Sequence, residues 1–182
     1  MTIRSSQANG APMSWDNQLL LFAAAHRSAA LDPFFRGVTW LGSLYVLTPL
    51  AVLVAAILLY GQRWREILLL VVGFGGAVLW VHLAKALWNR PRPTVVEPLV
   101  ALPADSSFPS AHTTQSVAFT LCAAFILHRT MPEWGFAAAA LAALVAAAVA
   151  VSRIYLRVHF PSDVLGGLVL GIVWVTLAHG LL

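Results

Sequence analysis

The sequence predicts an all-α integral membrane protein: a helical bundle of five or six transmembrane helices with an N-terminal interfacial helix. Three observations carry that prediction. Of 182 residues, 60% are hydrophobic and only 10% charged, whereas a soluble domain carries about a quarter charged residues. Several apolar stretches approach the roughly 20 residues that a helix needs to cross a hydrocarbon core about 30 Å thick. The short alternating strands of a membrane barrel are missing from the sequence pattern.

Residues 1–13, rich in Ser, Asn, Gly and Ala, read as a disordered tail, and residues 14–182 as one membrane domain. The stretch "SWDNQLLLFAAAHRSAALDPFF" has an apolar centre too short to span, flanked by Asp16, Arg27 and Asp32. It reads as an amphipathic helix in the interface, with Ser14 or Asp16 capping its start and Asp32-Pro33 ending it. A signal peptide fits poorly, because neither a basic leader nor a small-residue cleavage site flanks the apolar part. Spans follow near Ser43 to Tyr60, Ile67 to Ala84, Thr113 to Leu127, Trp134 to Val151 and Val164 to Leu182. The first can begin as early as Pro33, since residues 37–62 carry no charge. The lone Cys122 falls inside a span and reads as a packing residue.

Ionisable groups near the membrane cost about 2.5–3.5 kcal/mol each on insertion scales, so their positions are informative. The second span ends in "HLAKALWNRPRP", with Lys85, Arg90 and Arg92. The next loop, "ADSSFPSAHTTQ", brings Ser110 and His112 to the start of the third span. "SRIYLRVHFPSD" brings Arg153, Arg157, His159 and Asp163 to the junction of the fourth and fifth. Counting crossings places all three clusters on one face of the membrane. The opposite face receives short turns with Arg63, Arg65, Arg129 and Glu133, which suit the cytoplasm under the positive-inside rule and put the clustered face outside. The net charge of +4 is not arranged as the basic stripe of a nucleic-acid binder.

Lys85, Arg92 and Arg153 together attract an anion, and phosphate is the natural one. Arginine forks pair with its oxygens and lysine adds a point charge. Ser110 at a helix start is an anion-binding position, although a plain N-cap is its default reading. Pro161 lets Asp163 fold back towards His159, where a carboxylate orients the imidazole for attack on phosphorus. His112 is placed to protonate the departing oxygen and then to activate water. The bland readings of Arg90, Arg157, Arg36, His26, His82 and His179 are helix-end residues that snorkel to headgroups or satisfy the interface. A zinc site from His82, His112, His159 and Asp163 is opposed by the surrounding cations. A proton-relay transporter predicts acidic groups at mid-membrane depth, and these spans have none.

Lys85, six residues, Arg92-Pro93; Pro109-Ser110-Ala111-His112; and Ser152-Arg153, five residues, His159, three residues, Asp163 together resemble the three-part signature of the type 2 phosphatidic acid phosphatase superfamily. "TWLGS" at residues 39–43 and "DVLGG" at 163–167 extend the likeness, which reaches from about Asp16 to the C-terminus. The resemblance implies a small bacterial membrane phosphatase acting on phosphatidylglycerophosphate, phosphatidic acid or undecaprenyl diphosphate, in the inner membrane with its site facing the periplasm. It implies that Lys85, Arg92, Ser110 and Arg153 bind phosphate, that His159 is the nucleophile, Asp163 its partner and His112 the acid, and that no metal or cofactor takes part. Expected partners are the lipid phosphate substrate and membrane lipids, with no nucleic acid; oligomeric state has no signature here. Relatives that pass the phosphoryl group to another acceptor keep the transferase reading open. The sequence departs from the usual pattern at Ala111, where glycine is common, at Arg157, again commonly glycine, and in its N-terminus, where an interfacial helix replaces a first span.

Overall fold

The computed structural model describes residues 13–182, and its regular elements are all helical. Residues 1–12 of the expected tail lie outside the described residues. The first helix, α1 (Trp15–Ala25), is capped by Ser14, whose hydroxyl accepts the Asn17 N–H at 3.4 Å. Trp15, Leu19 and Phe22 stay exposed while Leu20 and Ala24 are buried, the division expected of a helix lying along a surface. It ends earlier than Asp32-Pro33. His26 Nδ1 meets the Phe22 carbonyl at 2.8 Å, and an Arg27–Asp32 ion pair at 2.5 Å closes a turn before a separate short helix, α2 (Asp32–Val38). The stretch read as one helix up to Asp32-Pro33 is therefore α1 followed by a turn, and α2 opens the next segment at Asp32.

From α2 a 3₁₀ turn, Thr39–Gly42, leads into α3 (Leu44–Tyr60) with a bend of 46°. Ser43 is extended, and its hydroxyl caps α3 by accepting the Tyr45 N–H at 3.2 Å. Gly42 is needed at this bend: a Cβ there would fall 2.6 Å from the His112 carbonyl oxygen and 2.7 Å from Val149. The "TWLGS" turn thus lies directly on the helices that carry His112 and Arg153.

The remaining rods are α4 (Trp64–Trp88), α5 (Ala111–Thr130), α6 (Gly135–Tyr155) and α7 (Pro161–Leu181). Among the described residues, three helices are long and apolar enough to cross a membrane, α4, α6 and α7, and α2 with α3 makes a fourth if the bent pair is one span. α5 is long enough but falls short in apolarity. It runs through the middle of the bundle against α3, α4, α6 and α7, so Thr113, Thr114, Gln115 and Ser116 are buried against protein instead of lipid. The hydroxyls of Thr114, Ser116 and Thr120 donate to main-chain carbonyls three or four residues back, as with Ser116 to Thr113 at 3.0 Å and Thr120 to Ser116 at 2.7 Å, whereas Thr113 donates to the Ser110 hydroxyl.

The outer surface is apolar, with Leu53, Ile57, Leu79, Leu144 and Val169 exposed, as a bilayer-facing surface requires. The core joins Leu47, Leu69, Phe74, Phe119 and Val175. Cys122 lies within it, its Sγ 3.7 Å from the Leu69 carbonyl. Gly167 brings α7 onto the first turn of α5, where an added Cβ would stand 2.8 Å from the Ser110 carbonyl oxygen. One end of the bundle accordingly gathers the end of α4, the loop 89–110, the start of α5, the turn 156–160 and the start of α7.

Candidate functional site

The three charged clusters, distant in sequence, meet at this end of the bundle. Lys85 lies on the last turn of α4 with 5% of its surface exposed. Its Nζ is 3.0 Å from Asp105 Oδ2 and also donates to the Ser106 carbonyl. Arg92 follows in the loop. Its Nη1 donates to the Val158 carbonyl at 2.8 Å and stands 3.3 Å from His159 Nε2, while Nη2 pairs with Asp105 Oδ1 at 2.6 Å. Arg153, on the last turn of α6, is buried, donates from Nη1 to Thr39 Oγ1 at 2.6 Å, and leaves Nε without a partner. A buried guanidinium N–H without a protein acceptor retains hydrogen-bonding capacity for another group.

Ser110 is fully buried just before α5. Its hydroxyl does not cap the helix; it accepts from Thr113 Oγ1 at 2.9 Å, and its N–H donates to the Asp163 carbonyl at 3.0 Å. Ser110 occupies the N-cap position of α5, but its side chain makes no capping bond. The Ser110 hydroxyl proton remains available. Ala111 opens α5 with ordinary helical backbone, so the usual glycine has no conformational advantage there. His112, the second residue of α5, is half-buried beside the Thr39–Gly42 turn.

His159 is buried in the turn between α6 and α7. Arginine has only donors, so the Nε2 that faces Arg92 carries the lone pair and the proton resides on Nδ1. Nδ1 lies 3.5 Å from Asp163 Oδ2, a contact without the alignment of a formed hydrogen bond. Burial lowers the His159 pKa below the ordinary histidine value; Asp163 opposes this and Arg153 and Arg92 reinforce it. The resting imidazole is neutral. Asp163 itself is fully buried and well held. Pro161 occupies the first position of α7, and Asp163 reaches back to accept the Phe160 N–H at 2.9 Å while Ser107 Oγ donates to the same oxygen.

Several residues that the sequence left without a role complete the constellation. Arg90, read above as a headgroup contact, points inward: Nη1 reaches Asp163 Oδ1 at 2.6 Å and Ser162 Oγ at 2.7 Å, and Nη2 reaches Asp16 Oδ2 at 2.8 Å. Its guanidinium lies 4.3 Å over the Phe160 ring. Asp16 also accepts the Ser162 N–H at 2.9 Å and hydroxyl at 2.6 Å, so α1 is tied to α7 beside His159. Asp105 and Ser107 carried the one available signal, lying in the same loop as Ser110. Asp16 was read only as a helix cap and Thr39 only as the start of "TWLGS"; both approach the cluster only through the fold.

Arg157 has φ of 63°, in the left-handed region where glycine is at ease, which accounts for the usual residue there. It is held by donating from Nη1 to the Glu97 carbonyl at 3.1 Å and from Nη2 to the Ala24 carbonyl at 3.5 Å. Arg157→Ala loses both contacts and keeps the strained backbone, whereas Arg157→Gly loses the contacts but relaxes it. The glycine variant is expected to be more stable than the alanine variant by about 1 kcal/mol, read as a higher thermal midpoint in detergent; equal midpoints would contradict the strain. The remaining bland readings keep their residues apart from the cluster: His26, His82 and His179 make no contact with it, and Arg36 bonds the Leu99 carbonyl at 2.8 Å.

Residues 66–182, which include all three clusters, match the model of the PAP2 superfamily. Over 174 residues the chain is 33% identical to phosphatidylglycerophosphatase B of Bacillus subtilis, covering 93% of this chain and 84% of that protein. It is 28% identical over 166 residues to the undecaprenyl-diphosphatase BcrC of the same organism, covering 88% and 80%. The fold resembles the crystal structure of the transmembrane PAP2-type phosphatidylglycerolphosphate phosphatase of Bacillus subtilis, with a TM-score of 0.83, 32% identity and 91% and 83% coverage. It also resembles Aquifex aeolicus LpxE, with a TM-score of 0.72, 29% identity and 92% and 96% coverage. Sequence and fold agree over nine-tenths of the chain, which belongs to the PAP2 superfamily, among its membrane lipid phosphatases.

Proposed function

We propose that the protein hydrolyses a phosphate mono- or diphosphate ester of a lipid without a metal ion, through a phosphohistidine on His159. The observation that carries this reading is the lone pair of His159 Nε2 facing Arg92 at 3.3 Å. A phosphoryl group held by Arg92 lies against the one nitrogen free to attack it. Lys85, Arg92, Arg153 and the Ser110 hydroxyl bind the phosphoryl oxygens and offset their charge as the P–O bond lengthens. Nε2 forms a bond to phosphorus, the ester P–O bond breaks, and His112 gives its proton to the departing oxygen. Water then attacks phosphorus, His112 takes its proton, the P–N bond breaks, and phosphate leaves. Asp163 holds the Nδ1 proton and stabilises the imidazolium while the phosphoryl group is attached. Three cations lining one site favour a phosphate anion and oppose a bare divalent metal.

The relatives' names point to phosphatidylglycerophosphate or undecaprenyl diphosphate as the substrate class. The arginine-bearing turns at the opposite end support a site on the outer side of the bacterial inner membrane. Phosphate release by detergent-purified protein, with a strong chelator present and no added acceptor, tests the reading across phosphatidic acid, phosphatidylglycerophosphate and undecaprenyl diphosphate. Release is expected to persist in chelator. Activity that disappears with chelator would remove the metal-independent mechanism, and activity that requires an added acceptor would turn the enzyme into a phosphotransferase.

A further inference from the structure

Asp105 stands where the proposed function needs a phosphate. One carboxylate oxygen is 2.6 Å from Arg92 Nη2 and the other 3.0 Å from Lys85 Nζ, so a planar O–C–O edge spans the two cations as an O–P–O edge would. The two cationic side chains are 8% and 5% exposed, whereas that of Asp105 is 47% exposed, so the carboxylate covers them from the solvent side. Arg153, the third cation, carries no such partner and bonds the Thr39 hydroxyl instead. The backbone around Asp105 is separately fastened: its carbonyl accepts from Arg92 Nε at 3.2 Å, Ser106 Oγ accepts the Arg90 N–H at 2.9 Å, and the Ser107 N–H donates to the Arg90 carbonyl at 2.8 Å. The exposed side chain can therefore swing away while the loop stays in place.

We propose that Asp105 is a specificity-determining residue, an internal carboxylate that competes with substrate for Lys85 and Arg92 and admits only a headgroup more negative than itself. This rests on the phosphatase reading and deepens it. A terminal phosphate carries about −1.5 to −2 charges near neutral pH, enough to exchange favourably for a single carboxylate. A phosphodiester, the linkage of bulk membrane phospholipids, carries one negative charge and gains little by displacing another. The site thereby ignores the diester lipids that surround it and takes the phosphomonoester or diphosphate end of a rarer lipid.

The test compares wild type with Asp105→Asn and Asp105→Ala, using inorganic phosphate as the competing anion and mixed micelles of phosphatidylglycerol as the diester. Each ion pair, open to solvent at its half-exposed carboxylate, accounts for a factor of a few, so losing two is expected to tighten inorganic phosphate about tenfold. Phosphatidylglycerol is expected to change from a poor to an effective inhibitor. Phosphate binding is measured directly by calorimetry as well as by inhibition. Phosphate affinity that is unchanged or weaker in both variants would overturn the proposal, because it would mean that the carboxylate aligns the cations instead of competing for them; thermal midpoints equal to wild type exclude misfolding as the cause. Absence of lipid-phosphate turnover in wild type, with calorimetric phosphate binding tightened in the variants, would sink the phosphatase reading and leave the competition standing.

Discussion

Replacing His159 with alanine is expected to lower phosphate release by about 10⁴-fold or more, the loss typical of removing a nucleophile from a site whose binding groups remain. The fold should survive, because the polar contacts of the ring are one to Arg92 and a long one to Asp163. Lys85, Arg92 and Arg153 stay in place, so phosphate still binds. Rapid quenching with labelled substrate is expected to trap an acid-labile phosphoenzyme in wild type and none in the variant. A variant that keeps a substantial fraction of wild-type turnover would remove His159 as the attacking group. The same residue sets an acid limit. Its pKa is held below the ordinary value near 6.5, so the neutral, attacking form persists at higher pH and disappears only as pH falls through that lowered value. The acid limb of kcat/KM is therefore expected below pH 6.5, and a limb above it would contradict the burial of the imidazole.

Arg90→Ala is expected to have the second largest effect, although the Arg90 side chain bonds Asp16, Ser162 and Asp163 and not the proposed phosphate ligands. Its guanidinium joins Asp163 to Asp16, and its removal leaves two buried carboxylates without their cation. Breaking a buried pair costs about 3–5 kcal/mol; with 29% of the Arg90 side chain exposed, about 3 kcal/mol is expected, seen as a lower thermal midpoint. Release of the Asp163 carboxylate also lets His159 shift, and a displacement near 1 Å costs about 100-fold in turnover. The fall is expected in kcat with KM little changed, since Arg90 does not reach Lys85 or Arg92. Arg90→Lys, which keeps one charge but loses the two-way bridge, should recover part of the stability and little of kcat. Wild-type kcat in Arg90→Ala would remove the positioning role.

These two residues show what the sequence made legible. His159, Asp163, Lys85 and Arg92 stand at fixed spacings on segments whose membrane crossings could be counted, so their convergence followed from topology alone. Arg90 lies two residues from Arg92, and on that spacing it looked like one more helix-end arginine. Its inward direction depends on Asn89 adopting φ of 42° at the end of α4 and on Asp16, which arrives from α1. Such a contact between the chain's beginning and its last helix has no local pattern to announce it. Fold class and span order were readable because apolar length is a strong local signal. The start of α2 at Asp32-Pro33 was readable as well, but the early end of α1 at Ala25 was not, because a turn closed by one ion pair and one histidine contact leaves the apolar profile almost unchanged. Arg157 falls between these cases: the departure from glycine was visible, but its meaning required the backbone angle.

The polar interior of α5 bears on how the chain is assembled in the first place. A segment carrying Thr113, Thr114, Gln115, Ser116 and Thr120 partitions weakly into hydrocarbon on its own. It gains a suitable environment only where other helices surround it. During synthesis α5 emerges before α6 and α7, the two helices that cover most of its length. Stable residence of α5 in the bilayer is therefore expected to be a late, cooperative event that follows the arrival of the last two helices. Because Ser110 and His112 stand at its start, the three clusters are expected to come together only when the C-terminal helices have been inserted.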